Sequence, residues 1–260
     1  MMKTKIHETA LIDQKAEIGA GVEIGPYCIV KKGVSIGRNT KLISHVIVEG
    51  NTEIGEGCTF HPFSCIGLPP QDMKYKGEHT KLMIGSNNTV REYVTIHRAS
   101  VGGDETTTVG NNNFLMAYVH VAHNCKIGSN VIMANAATLA GHVLVEDFAV
   151  IGGLVAIHQF TRIGQYAMVG GFSGIGQDIP PYMVASGARA KLFGPNMIGL
   201  KRHGFSDETI NAIKKAYKII FREKRTLKDA IRKVQEDFAD IPEIRHLIAF
   251  IEKNKRGICR

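Results

Sequence analysis

A bulky apolar residue returns at every sixth position through most of this chain. One series runs Ile12, Ile18, Ile24, Val30, Ile36, Leu42 and on to Ile66, and a second runs from Val109 to Ile175 without a miss. A fixed period of this kind is the signature of a stacked β-solenoid, in which each repeat buries its apolar residue only by lying on the next repeat. Short strands meeting at corners every six residues, three to a turn, give an 18-residue coil. Coils stacked at the strand spacing of about 4.8 Å make a prism of roughly nine turns and ~40 Å. Glycine follows the apolar residue in Ile18-Gly19, Ile24-Gly25, Ile36-Gly37, Ile54-Gly55, Ile127-Gly128 and Ile163-Gly164, which predicts corners with sharp turns or positive φ. The place four residues after the apolar slot holds small side chains, among them Cys28, Cys58 and Cys125, and reads as a second inward slot. With five cysteines and no CxxC pair, these thiols are expected to be core packing in a reduced compartment.

The period breaks twice and then stops. Residues 68–80 (LPPQDMKYKGEHT) lose the apolar slot before the register resumes at Ile84, Val90 and Ile96, and residues 102–108 (GGDETTT) shift it by one. A solenoid accommodates insertions as outward loops, often on its binding face. The first loop, with Pro69-Pro70 and two lysines, is expected to reach across a surface. After Gly187 the hexads end, which divides the chain into a β-solenoid over 1–190 and a helical region over 191–260. Ser206 followed by Asp207 and Glu208 is an N-cap signal, Thr226 with Asp229 starts a second helix, and Pro242 opens a third.

The charge is uneven. Residues 191–260 carry 17 Lys+Arg against 9 Asp+Glu, and residues 1–190 carry 15 against 15, so the whole formal excess of +8 lies in the helical region. Such a surface suits nucleic acid, an anionic membrane or an acidic protein, or is simply a solvated helix face. No run approaches the 18 or more apolar residues of a membrane span, and Met1 to Ala10 lacks the apolar stretch of a signal peptide. A cytoplasmic location is expected.

Four of the eleven histidines matter in the solenoid frame. His123 and His142 are 19 residues apart, and His142 and His158 are 16 apart, both near the 18-residue coil. This predicts the three rings in adjacent coils and nearly one column, pointing outward, with His120 beside His123. Clustered imidazoles suit general-base work and hydrogen bonding near neutral pH. Three histidines can also hold zinc with an open position for water, although no carboxylate or cysteine ligand pattern accompanies them.

The blocks IGLPPQDMKYKGE, VREYVTIHR, AYVHVAHNCKIG, NAATLAGHV, IGGLVAIHQF, SGIGQDIPPY and NMIGLKRHGFS, in this order, make the chain resemble the bacterial UDP-N-acetylglucosamine O-acyltransferases. The resemblance covers nearly the whole chain. It implies a left-handed parallel β-helix of hexapeptide repeats with a C-terminal helical domain. It further implies a homotrimer with active sites between subunits, and no metal or other cofactor. The implied reaction moves an (R)-3-hydroxyacyl group from acyl carrier protein to the 3-hydroxyl of UDP-N-acetylglucosamine, the first step of lipid A biosynthesis. An acidic carrier protein would account for the basic tail, with no nucleic acid and no integral membrane segment involved.

By the same resemblance His123 is the general base and the Gly141 N–H stabilises the oxyanion. His120, His142, His158 and Gln159 orient substrate, Asp72 and Lys74 act from the first loop, and Asn196 and Arg202 meet the nucleotide. Gly171 matches the position that sets acyl length. A glycine there leaves the groove open for a longer chain, and the adjacent Phe172 works against it. Three residues depart from the family pattern: Asn124 stands where many relatives have Asp, removing the carboxylate of a His–Asp dyad, and Ile198 and His203 replace polar or basic residues. The alternatives are the related N-acyltransferase of the same pathway, which should carry an extra N-terminal domain, and a metal-dependent lyase or a scaffold on the same solenoid.

Overall fold

From Ile24 onward, every apolar residue at the six-residue spacing is buried in the computed structural model, which describes residues 3–260. The first two residues of the N-terminal stretch read above lie outside the described residues. The strands are mostly two to four residues long and form three sheets of eleven, nine and eight strands, parallel except for the last pair of the first, the faces of a left-handed β-helix. Each strand pairs with the one a coil later, as in Glu23 with Lys41 and Ile24 with Leu42, so like positions stack on like. The second inward slot is buried too: Cys28, Cys58 and Cys125 are fully enclosed, and burial pushes the Cys125 thiol up to about 12. Truncating one stacked core residue, such as Ile151 to Ala, should cost about 2–5 kcal/mol.

The corners differ from the expectation. The left-handed residue is the one three places after the apolar slot, for example Tyr27 at φ 56°, Asn39 at φ 58° and His142 at φ 61°. The glycine directly after the slot has ordinary φ and is required for close approach: a Cβ on Gly25 would lie 1.7 Å from the Ile43 carbonyl oxygen, and one on Gly37 would lie 2.5 Å from the Gly55 carbonyl carbon. Coils stacked at strand spacing leave no room for a side chain there.

Each of the three corners fills its left-handed position differently. After the eleven-stranded sheet it holds rings: Tyr27, His45, Phe63, Tyr93 and Tyr118. After the eight-stranded sheet it holds Asn39, Asn87, Asn112 and Asn130, then Phe148 and Tyr166. After the nine-stranded sheet it holds Asn124, His142 and Phe160.

The excursion placed at 102–108 is shorter at its end. Thr106–Val109 is already a strand, paired with Lys81–Ile84, because its threonines alternate into the interior slot. The helical region also starts later than residue 191, since Lys191–Pro195 forms an antiparallel strand on Met183–Ser186. Four helices follow: α1 (Met197–Arg202), α2 (Asp207–Phe221), α3 (Leu227–Phe238) and α4 (Pro242–Glu252). The hydroxyls of Ser206 and Thr226 cap α2 and α3 by accepting from the Thr209 and Asp229 N–H groups at 3.1 and 3.2 Å. The tail docks on the prism through Arg162, which Asp178 holds at 2.7 Å while its guanidinium donates to the Phe250 carbonyl at 2.8 Å and lies 4.1 Å over the Phe250 ring.

Candidate active site

Where the nine-stranded sheet turns its corner, the period places His123 two residues past Val121, at the outer surface. Its Nδ1 lies 2.8 Å from Asn124 Oδ1, and its ring stands perpendicular to that of His142 with centroids 5.3 Å apart. Gly141 occupies the equivalent place one coil later. A Cβ there would sit 2.5 Å from His123 Cε1 and 2.7 Å from Nε2, so only glycine lets the ring lie down. Gly141 is buried, and its N–H has no acceptor among the described residues, which leaves an unused donor next to the His123 ring.

His142 stacks on Phe160 at 4.6 Å. Partial burial holds its pKa below the usual value, with the neighbouring His123 adding to this and Asp72 opposing it. His120 points outward from its strand with Nδ1 2.7 Å from Thr95 Oγ1, and burial, then His97 and His123, push its pKa down to about 4. It is therefore neutral at physiological pH. His97, which the sequence did not single out, packs edge-on to His120 at 5.2 Å; burial lowers its pKa and its Nδ1 has no partner among the described residues. No periodic signal marks it, because its neighbours come from the non-periodic loop over 68–80.

That loop folds back over the histidines. Asp72 accepts from the Lys74 N–H at 3.0 Å and from the Ser100 hydroxyl at 2.8 Å. These two bonds, ahead of the nearby His123, hold its carboxyl below the usual carboxylate range. Ser100 was also missed; it is buried and bonded to both Asp72 and Asn124. Lys74 leaves its ammonium exposed.

Other expected residues lie apart from this cluster. His158 is exposed one place past Ile157, its Nδ1 3.2 Å from the Gln159 carbonyl, so the predicted third ring of the column is Phe160 instead. A separation of 16 falls two residues short of the coil, enough to move the ring to another part of the corner. Gln159 is exposed beside it. Asn196 is the N-cap of α1: its amide accepts from the Gly199 N–H at 3.1 Å and donates to the Tyr166 carbonyl at 3.0 Å, while Arg202 is exposed in the last turn of α1. Gly171 lies on the surface where a Cβ would meet the Gly153 carbonyl oxygen at 3.2 Å, next to Phe172, which is 77% exposed. Ile198 is exposed, and His203 sits on the Gly199 carbonyl at 2.8 Å.

An imidazole held at Nδ1 by Asn124, a carboxylate folded over it and an unused backbone donor beside it form a set suited to deprotonating a hydroxyl and stabilising an oxyanion. Comparisons with known proteins identify the family. Residues 178–259 match the model of UDP-N-acetylglucosamine O-acyltransferase domain 2, and residues 106–141 match the bacterial transferase hexapeptide model. The acyl-[acyl-carrier-protein]–UDP-N-acetylglucosamine O-acyltransferase of Thermodesulfovibrio yellowstonii is 69% identical over 98% of this chain and 99% of its own length. The chain belongs to the UDP-N-acetylglucosamine O-acyltransferase family.

Solved members of this family superpose along nearly the whole chain. The UDP-N-acetylglucosamine O-acyltransferase of Moraxella catarrhalis is 43% identical with a TM-score of 0.95, covering 98% of this chain and 99% of that one. LpxA from Acinetobacter baumannii is 44% identical with a TM-score of 0.96 over the same shares. The agreement includes the helical region, so the family assignment rests on both parts of the molecule.

Proposed function

We propose that this acyltransferase moves an (R)-3-hydroxyacyl group from acyl carrier protein to the 3-hydroxyl of UDP-N-acetylglucosamine, opening lipid A biosynthesis. The observation that carries the reading is the 69% identity to a protein of that name along its whole length. In this reading His123 Nε2 takes the proton from the sugar 3-hydroxyl as its oxygen attacks the thioester carbonyl. The new C–O bond forms, the carbonyl becomes an oxyanion facing the Gly141 N–H, and the C–S bond then breaks. The imidazolium returns its proton to the departing thiolate. Asp72 offsets the transient positive charge, and the depressed pKa values of His97, His120 and His142 keep the other imidazoles from adding to it. Asp72 and His120 also present polar atoms to the sugar.

Lys74, His142, His158, Gln159, Asn196 and Arg202 serve the sugar nucleotide and acyl chain, and Gly171 sets acyl length. The committed amide of Asn196 supports a part played through the placement of α1. An assembly of three copies in the cytoplasm completes the reading. Its support is the exposed ring ridge along one corner, where Tyr93 stacks on Phe63 at 5.1 Å and on Tyr118 at 4.9 Å and which Leu154 and Phe172 continue. Exposed Lys214, Lys215 and Lys218 on α2 suit an acidic carrier. The test is an acyl-transfer assay with UDP-N-acetylglucosamine and hydroxyacyl carrier proteins of several chain lengths. Transfer favouring the longer chains is expected, and no transfer from any of them would overturn the proposal.

A further inference from the structure

Asn124 stands at a left-handed corner, φ 58°, and is only 7% exposed. Its side chain is bound on both sides by one residue: Oδ1 accepts from the Ser100 N–H at 3.0 Å and Nδ2 donates to the Ser100 carbonyl at 3.0 Å. A backbone N–H can only donate and a carbonyl can only accept, so a flipped amide would set donor against donor and acceptor against acceptor. The orientation of the amide is therefore fixed by the main chain. Its backbone is fixed as well, since the Asn124 N–H donates to Thr107 Oγ1 at 2.8 Å.

This orientation has a consequence for the neighbouring ring. Oδ1 also lies 2.8 Å from His123 Nδ1, and an amide oxygen cannot donate, so Nδ1 carries the proton and Nε2 carries the lone pair. We propose that Asn124 is a positioning residue: clamped by Ser100, it locks His123 in the Nδ1–H tautomer with Nε2 free beside Gly141, and it does so without placing a negative charge on the ring. The mechanistic use of that Nε2 rests on the reading of His123 as the base; the tautomer does not.

A carboxylate at 124 would not be equivalent. It could accept from the Ser100 N–H and from His123, but its second oxygen would face the Ser100 carbonyl, replacing a hydrogen bond with a repulsion. It would also favour the imidazolium, which cannot act as a base. The charge balance of the site is instead set from the loop. Asp72 faces His123 and His142, with Lys74 beside it, while His97 faces the ring from the preceding coil, His120 from its own coil and His142 from the following one. On the far side of Asn124, Asp104 and Lys126 are paired with each other. Ser100 joins the two halves, since its hydroxyl binds Asp72 while its backbone holds Asn124.

The experiment is nitrogen-15 NMR of the histidine ring nitrogens in the full-length protein, wild type and variants, with the pH profile of kcat/KM alongside. In the wild type, neutral His123 should show a protonated Nδ1 and an unprotonated Nε2. Asn124→Asp should keep that hydrogen bond but hold the imidazolium to a pH higher by about one unit or more, moving the acid limb of kcat/KM with it. Asn124→Ala should give a mixture of tautomers. A wild-type Nε2–H tautomer, or an Asn124→Asp ring that titrates as the wild type does, would overturn the proposal whatever substrate the enzyme takes. Absence of acyl transfer with the predicted tautomer present would count against the function alone.

Discussion

Two corners of the same prism use the same left-handed backbone position for different ends. Along one, Tyr27, His45, Phe63, Tyr93 and Tyr118 stack ring on ring at 4.9–5.1 Å and form an exposed ridge. Along the other, the column reads Asn124, His142 and Phe160, and the adjacent column carries His123 over Gly141. The backbone is common to both. What separates a scaffold from a reactive site is the loss of one Cβ at Gly141, which lets a ring lie flat, and an amide at 124, which orients it.

The largest expected effect belongs to the second corner. His123→Ala should lower kcat/KM by about 10²–10⁴ with the folded state intact by circular dichroism, as removal of a general base does. Gly141→Ala comes next: the new methyl must displace the His123 ring or the backbone, and kcat should fall by about a hundredfold, read in steady-state kinetics. Lys74→Ala should raise KM for the nucleotide about tenfold with little change in kcat, since it removes an exposed cation from binding and nothing from chemistry.

The first corner should answer differently. Tyr93→Ala breaks two stacked contacts and should cost about 1–3 kcal/mol in denaturant unfolding while leaving turnover per assembled enzyme unchanged. The pH dependence of stability offers a smaller distinction. The unfolded chain protonates His120 near the ordinary histidine pKa, whereas the folded one resists until about 4. Stability from this source is complete above the unfolded value and is lost as pH falls between the two, by ~1–3 kcal/mol. His120→Gln should flatten that part of the profile.

The parts of this contrast that obey the period could be read from the residues. The coil, the inward cysteines and the closeness of His123 to His142 all follow from counting by 18. His158 shows the limit of the count, because a two-residue offset at a corner changes the direction of a side chain completely. The glycines were located correctly and explained wrongly: close packing between coils, rather than positive φ, is what excludes a Cβ at Gly25. His97 and Ser100 carry no periodic signal because a loop outside the repeat lies on them, Pro69 against His97 and Asp72 on the Ser100 hydroxyl. α1 has only six residues and no apolar period of its own, and the amide of Asn196, expected at the nucleotide, caps it.

The measurement that bears most directly on this account is the position of the acyl group in the product. Incubation of the wild-type protein with an (R)-3-hydroxyacyl carrier protein and UDP-N-acetylglucosamine, followed by proton NMR of the sugar nucleotide, should show the glucosamine H3 moved downfield by a new ester at O3. An ester or amide at any other position, or unchanged sugar nucleotide with every chain length supplied, would contradict it.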